Sequence, residues 1–225
     1  MSASDELVLY GYWRSSASYR VRLALAIKGL AYIQRPVSLI ADGGEHRTAQ
    51  YRALNPQALV PTLIHQDRVL TQSLAIIEYL DELFPSPPLL PDCPHKRAIT
   101  RAIAHTIASD TAPIQNLRVL DALEKTFGAN QDQKAQWAQH WIQTGLEAVE
   151  AQLQAEHPKP EQAQFCVGDS PSLADCCLLP QVYNAERFGC DLADMPTIRA
   201  ICANLGHNED IMNAKPDKQP DAPKT

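Results

Sequence analysis

Over the first 84 residues the hydrophobic pattern alternates between two periods. Residues 7–10 (Leu-Val-Leu-Tyr) make a short apolar run of strand length. Residues 15–28 then place apolar side chains at helical spacing until Gly29 ends the pattern. Residues 32–37 read as a second strand, and a modest helix over 45–54 stops ahead of Pro56. Residues 62–65 and 69–70 form a hairpin around Gln66-Asp67, and 73–84 is a further helix. The predicted order is β-α-β-α-β-β-α, a small α/β unit.

Prolines mark the end of this unit. Of 17 in the chain, five fall between Pro85 and Pro94, and a residue that neither continues a helix nor donates to a ladder makes this stretch an extended linker. Beyond it the pattern is helical. Residues 93–127 are helix-compatible with a break at Pro113. Trp137, Trp141, Gly145, Val149 and Leu153 repeat every four residues, which reads as a core stripe with a small residue for close helix contact. Ser172 suits a helix cap, with Asp175 three residues on in capping-box position. Another helix covers 196–205, and the tail from Ala214, with Pro216, Pro220 and Pro223, reads as extended or loose. The expected division is residues 1–84, a linker at 85–94, and an all-helical domain at 95–225 that includes this tail.

The chain has 225 residues, 45% hydrophobic and 20% charged, which suits a folded globular protein and excludes wholesale disorder. Its 20 basic and 26 acidic residues give a net charge of −6, against a nucleic-acid-binding role. No apolar run approaches the roughly 20 residues that span a bilayer, so no membrane is expected as a partner. The opening Met1-Ser-Ala-Ser-Asp-Glu6 lacks the basic and apolar parts of a signal peptide, and the expected location is the cytosol. The six cysteines include no Cys-x-x-Cys, and the seven histidines form no His-Glu-x-x-His, so neither disulfide nor metal is implied. The charges of the tail (Lys215, Asp217, Lys218, Asp221, Lys224) are mixed in sign and read as solvated.

Three segments of the first unit carry candidate chemistry. Trp13-Arg-Ser-Ser-Ala-Ser-Tyr-Arg-Val-Arg22 joins the first strand to the first helix, where hydroxyls and free N–H groups favour an anion or thiolate. Ser15 or Ser16 serving only as the helix cap is the equally simple alternative. Val60-Pro61 precedes a strand, and the proline removes a ladder donor, which leaves adjacent backbone for a peptide-like ligand. Sequence alone does not show whether that bond is cis. Gln72-Ser73, at the start of the third helix, makes a carboxylate seat.

Together these features resemble a cytosolic glutathione transferase. Ser15-Ser-Ala-Ser-Tyr-Arg-Val-Arg-Leu-Ala-Leu-Ala-Ile-Lys-Gly29 is similar to the signature of the zeta class. Similarity continues through Ala53-Leu-Asn-Pro56, Leu59-Val-Pro-Thr-Leu63, Gln72 to Leu80, Gln115 to Leu120, Val167-Gly-Asp169, Asn184 to Phe188 and Gln219-Pro-Asp-Ala-Pro223. The resemblance implies an N-terminal thioredoxin-like domain, a C-terminal helical bundle that binds substrate, glutathione as cofactor, and a homodimer. It also implies that Ser15 activates the glutathione thiol, that Ser16, Ala17, Val60, Gln72 and Ser73 bind glutathione, and that His46 lies near its glycyl end. Asn116 and Arg118 match positions near the active site. Arg187 matches an arginine that holds a substrate carboxylate, with Arg14 a second cationic candidate.

Ala17 stands where many members of the class have cysteine, Tyr19 replaces tryptophan, and Ala112 stands where relatives often carry glutamine or histidine. The implied reaction is glutathione-dependent cis–trans isomerisation of a dicarboxylic keto acid, maleylacetoacetate to fumarylacetoacetate, in tyrosine and phenylalanine breakdown. Isomerisation of maleylpyruvate, general transferase activity and a non-catalytic binding module are the alternatives.

Overall fold

The computed structural model describes residues 6–223; residues 1–5 of the opening segment and Lys224 of the tail lie outside the described residues. Two compact units form, one from Met1–Leu89 with Asn208–Thr225 and the other from Leu90–His207.

The first unit contains β1 (Leu7–Gly11), α1 (Ser16–Ile27), β2 (Ile33–Pro36), α2 (Ala49–Leu54), β3 (Thr62–His65), β4 (Arg68–Thr71) and α3 (Ser73–Leu83), the order expected from the pattern. Its sheet runs β2-β1-β3-β4, with β2 parallel to β1 and the other neighbours antiparallel, a thioredoxin-like arrangement. Leu7, Leu9 and Leu63 of the sheet are buried, as are Val21, Leu23 and Leu25 of α1 and Ile76, Ile77 and Leu80 of α3. The helix expected over 45–54 is divided. A 3-10 turn at Glu45–Arg47 precedes Thr48, whose extended backbone and side chain, accepting from Tyr51 N, start α2 afresh.

The second unit contains α4 (Pro94–His105), α5 (Leu117–Phe127), α6 (Gln131–Glu156), α7 (Leu173–Arg187) and α8 (Pro196–Leu205). The break expected at Pro113 is present, but α4 first widens into a π-helical turn at Thr106–Thr111, which periodicity gave no sign of. The stripe on α6 needs correction. Ala138, Ile142, Leu146, Val149 and Leu153 are its buried apolar residues, whereas Trp137, Trp141 and Gly145 lie at its flank. A strict four-residue spacing advances 400° where one turn is 360°, so the row enters the core only at Val149. Gly145 does serve close contact, since a Cβ there would lie 2.1 Å from Thr111 Oγ1. Asp175 is the cap expected of it: it accepts from Ser172 N, Ser172 Oγ and Cys166 N at 2.7–2.8 Å.

The tail is not loose. α9 (Glu209–Asn213) leads into it, a 3-10 turn follows at Pro216–Lys218, and Gln219 Nε2 donates to Asn213 O and Lys215 O. Nor is Asp221 merely solvated, because Oδ2 accepts from Trp13 N at 2.9 Å and Oδ1 from Gln34 Nε2 at 3.0 Å. The sequence pattern grouped these residues with the helical domain, and they pack with the first unit instead.

Candidate functional site

The sheet register sets the site. Tyr10 of β1, Thr62 of β3 and Thr71 of β4 stand in one cross-strand row. The chain that continues past each of them, residues 11–15, Pro61-Val60 and Gln72-Ser73, therefore leaves the sheet at the same end. Three candidate segments far apart in sequence are thus gathered. Tyr12, Val37, Tyr51 and Val60 form a buried apolar cluster, with Tyr10, Trp13 and Leu39 packed against it.

Ser15 is the cap of α1: its Oγ accepts from Ser18 N at 3.2 Å, and its own N–H donates to Tyr12 O. Capping and chemistry are compatible, since a hydroxyl that accepts one bond still has a proton to donate elsewhere. Ser16 and Ala17 form the first turn of α1, where N–H groups have no intrahelical partner. The Arg14 guanidinium lies 5.5 Å from the centre of the Trp13 ring.

The Val60-Pro61 bond is cis. Leu59 O accepts from Tyr51 Oη and Asn55 Nδ2, whereas the Val60 amide and carbonyl enter none of the hydrogen bonds among the described residues. Gln72 adopts φ +69, unusual for a residue with a side chain, and its Nε2 donates to Gln57 Oε1 at 2.7 Å. Ser73, buried, accepts from Arg20 Nη1 at 3.3 Å. His46 is buried too, accepts from Arg47 Nε at 3.3 Å, and packs over Gly44, where a Cβ would lie 2.3 Å from its ring. A peptide-like thiol ligand with a terminal carboxylate fits these groups: unpaired backbone at Val60, a hydroxyl at Ser15 and a polar helix start at Gln72-Ser73.

The second unit brings its own candidates together in part. Asn184 of α7 is buried, donates Nδ2 to Gln115 Oε1 at 2.8 Å, and accepts from Arg187 Nη1 at 2.8 Å. This chain of bonds holds the exposed Arg187 guanidinium, which also lies 4.8 Å from the centre of the Phe188 ring. Asn116 caps α5, its Oδ1 accepting from Arg118 N, and the Arg118 side chain is exposed. Among the described residues no group of three or more His, Cys, Asp or Glu is placed to hold a metal, and no helix is long and apolar enough to cross a membrane.

Sequence reasoning gave no role to Arg20 and Arg22 and read Asp221 as solvated. The two arginines are 3% and 1% exposed within α1, and an Arg-Val-Arg run inside an otherwise apolar helix was the available signal. Arg22 donates Nη2 to Trp13 O at 2.9 Å and Nε to Ala214 O at 3.0 Å.

Residues 9–88 match the model of the glutathione S-transferase N-terminal domain. The chain is 47% identical over 216 residues to a probable maleylacetoacetate isomerase of Vibrio cholerae, covering 96% of this chain and 98% of that protein. Among solved structures, a holo maleylpyruvate isomerase described as a bacterial zeta-class glutathione S-transferase superposes with a TM-score of 0.90 at 44% identity, over 96% of this chain and 100% of that one. The maleylacetoacetate isomerase of Anaeromyxobacter dehalogenans with glutathione bound in its active site gives a TM-score of 0.85 at 43% identity, over 98% and 99%. This chain belongs to the glutathione transferase family, in its zeta class.

Proposed function

We propose that this protein is a glutathione-dependent isomerase that converts maleylacetoacetate to fumarylacetoacetate, acting as a cytoplasmic homodimer in tyrosine and phenylalanine breakdown. The observation that carries the reading is Ser15, a capping hydroxyl at the start of α1 with a proton to donate, at the sheet end where Val60 and Gln72-Ser73 also emerge. The near-full-length identity to a maleylacetoacetate isomerase supports the substrate class.

Bound glutathione supplies a thiolate that adds to the cis double bond, permits rotation about the resulting single bond, and is expelled again unchanged. The chain's part is to hold and stabilise. Ser15 donates its hydroxyl to the sulfur and favours the ionised form, assisted by the N–H groups of Ser16 and Ala17 at the positive end of α1. The Val60 backbone pairs with the cysteinyl part, Gln72 and Ser73 hold the γ-glutamyl carboxylate and amine, and His46 borders the glycyl end. Arg14 and Arg187, with Arg118, neutralise the substrate carboxylates and the enolate charge that develops during addition, and Asn116, which carries no charge, offers its amide as a hydrogen-bond donor. Asn184 orients Arg187 for that task.

Maleylpyruvate is the second substrate to consider, because an isomerase of that acid is 44% identical with a TM-score of 0.90. Retention of Ser15 and of Gln72-Ser73 argues against a non-catalytic module. The deciding experiment follows both acids in parallel, with and without glutathione. Glutathione-dependent turnover favouring maleylacetoacetate is the expected result. Preference for maleylpyruvate would reassign the substrate, and no turnover of either would refute the isomerase.

A further inference from the structure

We infer that Asp221, near the C-terminus, is a positioning residue for the catalytic loop, so that the tail is a working part of the active site. The inference rests on the isomerase reading above. Trp13 lies two residues before Ser15 and one before Arg14. Its amide donates to Asp221 Oδ2 at 2.9 Å, and its carbonyl accepts from Arg22 Nη2 at 2.9 Å. Both polar backbone groups of Trp13 are therefore held by charged side chains, and hydrogen bonds to ionised groups are stronger than neutral ones.

Both holds involve the tail. Asp221 belongs to it, and Arg22 is itself anchored through Nε to Ala214 O at 3.0 Å. The carboxylate is oriented at both ends, since Oδ1 takes the Gln34 amide at 3.0 Å while Oδ2 takes Trp13. Gln219, buried, folds the tail back through its two bonds to Asn213 O and Lys215 O and so brings Asp221 to the loop. The remaining side of the loop is closed by Ser15 N donating to Tyr12 O and by the Ser15 cap on Ser18 N. Tyr12, Trp13 and Ser15 are thus each held, and the hold on Trp13 spans 208 positions of sequence. A hydroxyl that must meet a sulfur at hydrogen-bonding distance gains from such pinning, because small misplacements of reacting groups are costly.

The charge of the carboxylate strengthens its hold on Trp13. Two donors face Asp221, one on each oxygen; an asparagine keeps Trp13 N only by turning its NH2 to a flipped Gln34 amide, and the charge is lost. The test is Asp221→Asn in the full chain, beside Asp221→Glu, which keeps the charge, and wild type. Three quantities are read: kcat and KM for the isomerisation, the ultraviolet thiolate band of enzyme-bound glutathione against pH, and thermal unfolding. Asp221→Asn is expected to lower kcat/KM by about tenfold and to move thiolate formation to higher pH. Its unfolding temperature should stay close to wild type, and Asp221→Glu should recover part of the loss. Wild-type kinetics and an unchanged thiolate titration in Asp221→Asn would overturn the inference. So would a loss of activity matched by loss of folded protein. If wild type isomerises neither acid the isomerase reading fails, and the thiolate titration, which needs only bound glutathione, still decides the role of Asp221.

Discussion

Arg20 Nη1 donates to Ser73 Oγ at 3.3 Å, so a buried cation of α1 holds the first residue of α3. With its oxygen accepting from Arg20, the Ser73 hydroxyl has its proton for a ligand carboxylate. Ser73→Ala should therefore do two things at once. Removing an acceptor from a buried guanidinium costs about 1–3 kcal/mol of stability, and losing the proposed ligand contact should raise the glutathione KM. Denaturant unfolding and glutathione titration measure the two effects separately.

Gln72 separates binding from stability in the opposite sense. Its φ of +69 is a conformation glycine adopts without cost, and Gln72→Gly should gain about 1 kcal/mol. The same change removes the side chain proposed to bind the γ-glutamyl group. The expected variant is more resistant to denaturant than wild type yet binds glutathione more weakly. Unchanged affinity would remove Gln72 from the site.

Asp175 belongs to the fold rather than the chemistry. Asp175→Ala leaves three buried donors without their acceptor and should destabilise by about 1–3 kcal/mol, with glutathione affinity intact in the folded fraction. Burial pushes the Asp175 carboxyl above its ordinary range, opposed by the bonds from Ser172 and Cys166. A raised pKa means that the folded state holds the proton more tightly than the unfolded one. The group's contribution is then full below about pH 3.9 and is lost as pH rises through its folded value. The stability of wild type relative to Asp175→Asn should fall over that window, and a rise would contradict the assignment.

The six cysteines differ in environment. Cys93 is exposed at the start of α4, and the backbone N–H groups of Lys96 and His95 lower its thiol pKa. Cys166 is buried, and desolvation with the nearby Asp175 charge pushes its thiol well up. Limiting iodoacetamide on native protein should label Cys93 first, with Cys166, Cys176 and Cys177 modified only after unfolding. Peptide mass analysis reads this directly.

Local chemistry made much of this legible in the sequence. The hairpin around Gln66-Asp67, the helix start at Ser172 and Asp175, and the Pro-rich break before α4 each arise from residues close together in the chain. The three site segments were visible as motifs, but only the register of Tyr10, Thr62 and Thr71 brings them to one sheet end. Partnerships across long separations left no local trace. Asp221 looked like one charge among several of mixed sign, although it reaches Trp13. Arg187 was recognised through its motif, while the Gln115–Asn184 bond that steadies it depends on two distant segments meeting. The stripe on α6 was right at Val149 and Leu153 and wrong at Trp137 and Trp141, since a four-residue repeat drifts around the helix and the aromatic members begin at its flank.

The most direct test of the central claim is the rate of maleylacetoacetate isomerisation at saturating glutathione in wild type and in Ser15→Ala. Alanine removes the hydroxyl proposed to stabilise the thiolate, and the cap of α1 with it. The account predicts glutathione-dependent turnover by wild type and a fall in kcat of about 10²-fold or more in the variant, with the folded state retained. Equal rates in the two proteins, or wild-type turnover that persists without glutathione, would contradict it.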